Sequence, residues 1–173
     1  CPECSTVAQY SKQGVIFIIA SGDSGPGEWT CDCPSCAPGA ISVGSISITD
    51  YPQVSWFSGR GPSNIANQNG NYEPHPICAG PGGGRADGSV TPDEVIYSGM
   101  QGLMRGLYSG MPFDIAEGLH GTSQSAPAIA GLIAVLLQSG KIKNADDFIA
   151  VLQSRGHAWS PDDGYGVPKL SWF

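Results

Sequence analysis

Residues 126–137 read Ala-Pro-Ala-Ile-Ala-Gly-Leu-Ile-Ala-Val-Leu-Leu, with no charged or hydrogen-bonding side chain among them. A run that is apolar on nearly every helical face belongs to a helix buried in a core. The spacing predicts one helix over about 122–138. The stretch before it, Gly118-Leu119-His120-Gly121-Thr122-Ser123-Gln124-Ser125, makes that helix chemically interesting. Ser123 falls at its N-terminus, beside Gly121 and Thr122, which are small enough to leave the hydroxyl accessible. The positive end of the helix dipole lies there and favours developing negative charge. Pro127 falls at or next to the first turn, where a missing N–H costs least. Serine and threonine are also preferred helix N-caps. The tripeptide alone therefore allows either a cap or a nucleophile.

A second apolar run, Gly14-Val15-Ile16-Phe17-Ile18-Ile19-Ala20, stops abruptly in Ser21-Gly22-Asp23-Ser24-Gly25. Such a β-branched run predicts a parallel strand buried on both faces. Its polar end would lie at the carboxyl edge of the sheet, where open α/β sheets place their sites. The remaining elements alternate in the same manner. A short helix is expected over 5–13, capped by Ser5 and ended by Gly14. Strands are expected over 40–48 and 54–58, loops over 64–92, and short strands at 95–97 and 113–116. A last helix is expected over 145–155, capped by Asn144, with Asp146 and Asp147 in its first turn and Gly156 as its end. No repeat and no linker divides residues 1–173, which read as a single domain portion.

The longer pattern Gly121-Thr122-Ser123-x-Ser125-Ala126-Pro127, followed by Ala130-Gly131, resembles the nucleophile motif of subtilisin-like serine proteases and of their relatives the sedolisins. The resemblance implies that Ser123 is the attacking residue. Subtilisin-like enzymes carry Gly-Asn-x-Gly at the strand end, where the Asn amide donates to the oxyanion. Here Asp23 stands instead, within a Ser-Gly-Asp-x-Gly segment like that of sedolisins. An ionised carboxylate only accepts hydrogen bonds, so an oxyanion role for Asp23 requires its protonated form. The alternative is that Asp23 closes a turn on its own backbone. Cys36–Ser45, Val54–Ser63, Cys78–Gly82 and Asp163–Pro168 resemble further subtilisin segments, so the likeness spans nearly the whole chain. It implies an α/β, parallel-sheet subtilisin-like fold, the Ser-bearing C-terminal portion, with helices on both faces. It also implies that Ala20, Ser21 and Gly22 line the primary specificity pocket.

The Asp and His of a subtilisin-like triad would lie upstream of both segments. His120 stands in the serine motif, His75 lies between two prolines, and His157 follows the last helix. None carries the family's histidine context. Residues 1–173 are therefore expected to lack the N-terminal Asp/His part. A general base would come from an upstream segment or a companion chain supplying Asp and His, or Glu and Asp. With it, the chain would cleave polypeptides as a serine endopeptidase through an acyl-enzyme, with no cofactor needed for catalysis. Without it, a non-catalytic subtilase-like binding or assembly module, or a metal-stabilised structural module, remains open.

The net charge of −7 argues against a nucleic-acid partner. No stretch has the length of a membrane span, and the acidic, sparsely charged composition fits an extracellular protein. Cys1-Pro-Glu-Cys4 and Cys33-Pro-Ser-Cys36 form a pair of Cys-Pro-x-Cys turns. Their places beside a helix start and a strand end predict that they meet near Asp23. Each turn could present two thiolates to a structural zinc ion, or the cysteines could form disulfides. Asp162 and Asp163 precede Gly164 and could ligate calcium, although a capped turn explains them equally.

Overall fold

The computed structural model describes residues 2–47, 53–63, 74–82 and 121–173. Three parallel strands form a sheet in chain order: β1 (Phe17–Ala20), β2 (Ala40–Ile46) and β3 (Cys78–Pro81). Phe17 lies opposite Ala40 and Ala20 opposite Val43; Val43 in turn pairs with Cys78 and Ile46 with Pro81. Helices α1 (Pro2–Ser11), α2 (Thr122–Gln138) and α3 (Ala145–Arg155) complete the layers.

Side-chain alternation along β1 and β2 assigns the two faces. Phe17, Ile19 and Ala40 pack with Cys4 and Val7 of α1. Ile18, Ala20, Ile41 and Val43 pack with Ile129, Ile133 and Leu136 of α2 and with Phe148 and Leu152 of α3. The α/β fold with helices on both faces is thus the one expected. Each large aliphatic side chain buried on the α2 face contributes roughly 1.5–3 kcal/mol by leaving water.

The expected ends of α2 and α3 match those observed. Asn144 caps α3 by accepting the Asp147 N–H at 2.8 Å. Four expectations need correction. First, α1 starts at Pro2 rather than Ser5, because a proline at the first helical position is pre-set for helix and loses no bond. Second, residues 78–81 form a strand inside the stretch expected to be loop. Its small residues serve close packing: a Cβ on Gly80 would stand 3.0 Å from the Ser125 carbonyl and 3.2 Å from Ile129. Third, residues 54–58 contribute only an isolated bridge between Val54 and Ile46. There, Ser58 accepts the Ser45 N–H and Ser55 bonds to the Ser45 hydroxyl. Fourth, α2 is buried on one side only. Thr122, Ser125, Ala126, Ile129, Ile133 and Leu136 face the sheet, whereas Ala128, Gly131, Ala134 and Val135 are exposed among the described residues. The strands expected at 95–97 and 113–116 lie outside the described residues.

His75 is buried beside the segment that precedes β3, and burial pushes its pKa down to about 4. It folds neutral and unfolds to an ordinary imidazole, so its contribution is intact above pH ~6.5 and is lost as pH falls through that value. Acidification from pH ~6.5 to ~4 is expected to lower stability through this group by on the order of 3 kcal/mol. Urea denaturation of the wild type and of His75→Gln at the two pH values measures the difference. Equal acid sensitivity of the two proteins would contradict it.

Candidate active site

The strand end and the helix start meet through hydrogen bonds that span a hundred residues of sequence. Ser21 continues β1 by donating its N–H to the Val43 carbonyl at 2.9 Å. Two neighbouring segments hold the chain beyond it: the Asp32 N–H donates to the Ser21 carbonyl at 2.9 Å, and the Gly59 N–H to the Gly22 carbonyl at 2.7 Å. Asp23 follows, projecting its carboxyl group toward α2. Its Oδ1 accepts both the backbone N–H and the hydroxyl of Thr122, each at 2.8 Å. The Thr122 hydroxyl oxygen in turn accepts the Gly22 N–H at 3.2 Å.

Thr122 is the first residue of α2, so a side chain from another element caps the helix. The N-cap residue, Gly121, has no side chain to offer. It has φ +150°, and a Cβ there would stand 2.8 Å from Asp23 Oδ2. Glycine lets the carboxyl group approach, and the Gly121 N–H donates to the Gly82 carbonyl just past β3 at 2.9 Å. Ser123 comes next and is exposed. Pro127 lies in the second turn, next to the first as expected; lacking an N–H, it leaves the Ser123 carbonyl without its i+4 donor.

The structure thus brings Ser123 and Asp23 together at the carboxyl edge of the sheet. Ala20 ends β1 partly buried. Ser21 is fully buried, with its hydroxyl donating to the Gly59 carbonyl at 3.3 Å. Thr122 was not singled out from sequence beyond its small size. Its partners lie a hundred positions away, and no local pattern names them.

Neither described histidine reaches the serine. His157 bonds Asp163 at 3.1 Å and the Ala158 carbonyl at 2.6 Å. The Ala158 contact, then Asp163, raises its pKa above the usual imidazole value. His75 Nδ1 is buried without a hydrogen-bond partner. His120 lies outside the described residues. Asp162 pairs with Arg60, which together with the His157 contact engages both carboxylates of the Asp162-Asp163 turn.

Of the cysteine set, Cys4, Cys33 and Cys36 come together: Cys4 Sγ lies 3.3 Å from Cys33 Sγ and 3.9 Å from Cys36 Sγ. Cys1 lies outside the described residues. Cys33 is disulfide-bonded, whereas Cys4, Cys31, Cys36 and Cys78 are thiols. Burial, then the neighbouring Cys4, pushes the Cys36 thiol up to about 11. Cys31 and Cys78 are fully buried. Burial pushes the Cys31 thiol up to about 12. The cysteine turn borders the strand end, because Cys36 N–H and Ser35 Oγ both donate to the carbonyl of Asp32. A separate cavity of about 460 Å³ opens at the opposite, amino end of β1 and β2 and includes none of these groups.

The carboxyl edge of an α/β sheet thus joins an exposed serine at a helix N-terminus to the acid that caps the helix. The Subtilase family model matches residues 2–159, and the chain belongs to that family. Pyrolysin of Pyrococcus furiosus is 28% identical over 98% of this chain, which spans 12% of that protein. Serine protease AprX of Bacillus subtilis is 23% identical over 94% of the chain, which spans 35% of AprX. Among solved structures, S41 psychrophilic protease superposes with a TM-score of 0.66 at 22% identity, and sphericase with 0.63 at 18%. Each match covers 96% of this chain and 52% of the other, so the chain spans about half the length of these solved relatives.

Proposed function

We propose that this chain is the nucleophile-bearing portion of a serine endopeptidase that hydrolyses polypeptides through an acyl-enzyme. The observation that carries the reading is the bonding of Asp23 to Thr122, which sets the acid beside the helix turn that bears Ser123. An asparagine at this position would accept through its oxygen and donate through its nitrogen. A protonated aspartate does the same, accepting from Thr122 through Oδ1 and donating through Oδ2. Asp23 and the Ser123 N–H would then stabilise the tetrahedral oxyanion, as preorganised donors at developing charge do. The backbone at Ala20, Ser21 and Gly22 would line the primary specificity pocket. Sedolisin-like chemistry at this strand end is part of the proposal.

Ser123 needs a base, and no described histidine bonds to it. We assign the base to a segment or companion chain outside residues 1–173, supplying Asp and His or Glu and Asp. The exposed apolar face of α2 at Ala128, Gly131, Ala134 and Val135 offers a surface for that part to cover. No helix among the described residues is long and apolar enough to cross a membrane. The sparse charge and acidic balance fit work outside the cell. A fluorophosphonate probe is expected to label Ser123 in the full-length protein and not in residues 1–173 alone. Strong labelling of the shorter chain would place a base within it, with His120 the first candidate. No labelling of the full-length protein would favour a non-catalytic binding module.

A further inference from the structure

We propose that Asp32 sets the substrate class at the strand end: its carboxylate selects a lysine or arginine side chain on the residue whose carbonyl Ser123 attacks. The proposal rests on the peptidase reading above, which makes the backbone of Ala20, Ser21 and Gly22 a pocket wall. Asp32 lies against that wall. Its N–H donates to the Ser21 carbonyl at 2.9 Å. Gly22 has φ +99°, and a Cβ on it would overlap Asp32 Oδ2 and stand 2.8 Å from Cγ. Only glycine leaves the carboxylate its place, over the open side of the residue just before Asp23.

The carboxylate there has no cation of its own. Asp32 is exposed. Among the described residues its carboxylate accepts only the Ser24 hydroxyl, at 3.4 Å, and no lysine, arginine or histidine pairs with it. Arg60 bonds the same loop through its carbonyl, which accepts the N–H groups of Thr30 and Cys31, yet its guanidinium goes to Asp162. A substrate whose carbonyl reaches Ser123 would lay the side chain of that residue on the Ala20–Gly22 wall. A lysine or arginine there meets an opposite charge as water leaves. A leucine strips water from the carboxylate and returns nothing, and a glutamate meets a like charge.

The test is kcat/KM of the full-length protein on peptides that differ only at the residue before the cleaved bond. Arginine and lysine are expected to exceed leucine by about tenfold to hundredfold, with glutamate poorest. Asp32→Asn is expected to bring the arginine-to-leucine ratio close to one, and Asp32→Lys to move the preference to glutamate. A merely structural role would lower all peptides together and leave the ratio in place. Should the variants fail to fold, the wild type gives an independent reading: benzamidine, a cation, is expected to compete with substrate, and neutral benzamide is not. Fluorophosphonate labelling of Ser123 on the same samples tells the two readings apart. If Ser123 labels but cleavage shows no basic preference, if folded Asp32→Asn keeps that preference, or if benzamide inhibits as well as benzamidine, the role of Asp32 is overturned while the peptidase reading stands. If Ser123 does not label and no peptide is cleaved, the peptidase reading itself fails and takes this one with it.

Discussion

Replacing Ser123 by alanine in the full-length protein is expected to lower turnover of peptide substrates by about a million-fold, the loss seen when a triad nucleophile is removed. Stability should change little. Ser123 is exposed, and exposed substitutions away from caps and cores stay within about 0.5 kcal/mol. The helix cap itself rests on Asp23 and Thr122 and is untouched by the change. Single-turnover kinetics with a fluorogenic peptide, alongside urea denaturation, separate the two effects. A variant that keeps wild-type turnover would remove Ser123 from the chemistry.

The second large effect belongs to Asp23. If it donates to the oxyanion, it does so as the protonated acid, because an ionised carboxylate only accepts hydrogen bonds. Asp23→Asn offers the same acceptor to Thr122 and a permanent donor. It is expected to retain activity. Asp23→Ala removes both functions. It should cost about 100- to 1000-fold in turnover and, through the lost cap, about 1 kcal/mol of stability. The turnover of the three proteins, measured side by side, decides the matter. An Asp23→Asn enzyme that is folded yet as impaired as Asp23→Ala would defeat the donor model.

The sequence exposed some of this and hid the rest for identifiable reasons. The extent of α2 could be read because its apolar run is uninterrupted, and that of α3 because Asn144 and its acidic first turn are local signals. β3 could not be read, because Cys78-Ala79-Gly80-Pro81 has turn composition and owes its glycine to the approach of α2. The apolar run over 126–137 measures surface that prefers to leave water. It does not tell which neighbour covers that surface, and among the described residues one face of α2 stays open. The position of Asp23 at a sheet edge was legible from the strand end. Its bonds to Thr122 were not, since those partners are 99 positions apart. The paired Cys-Pro-x-Cys turns pointed to the meeting of Cys4 with Cys33 and Cys36, but spacing alone does not choose between oxidation and metal.

The three hydrogen bonds that join Thr122 to Gly22 and Asp23 also bear on when such a site comes into being. Closing a loop of this length costs about 4 kcal/mol in chain entropy. Hydrogen bonds net only about 1 kcal/mol each. The contact must therefore wait until α2 has docked on β1, β2 and β3. A nascent or unravelling chain would hold the same serine and the same acid, but apart. The pairing of serine and acid would arise only with the finished core.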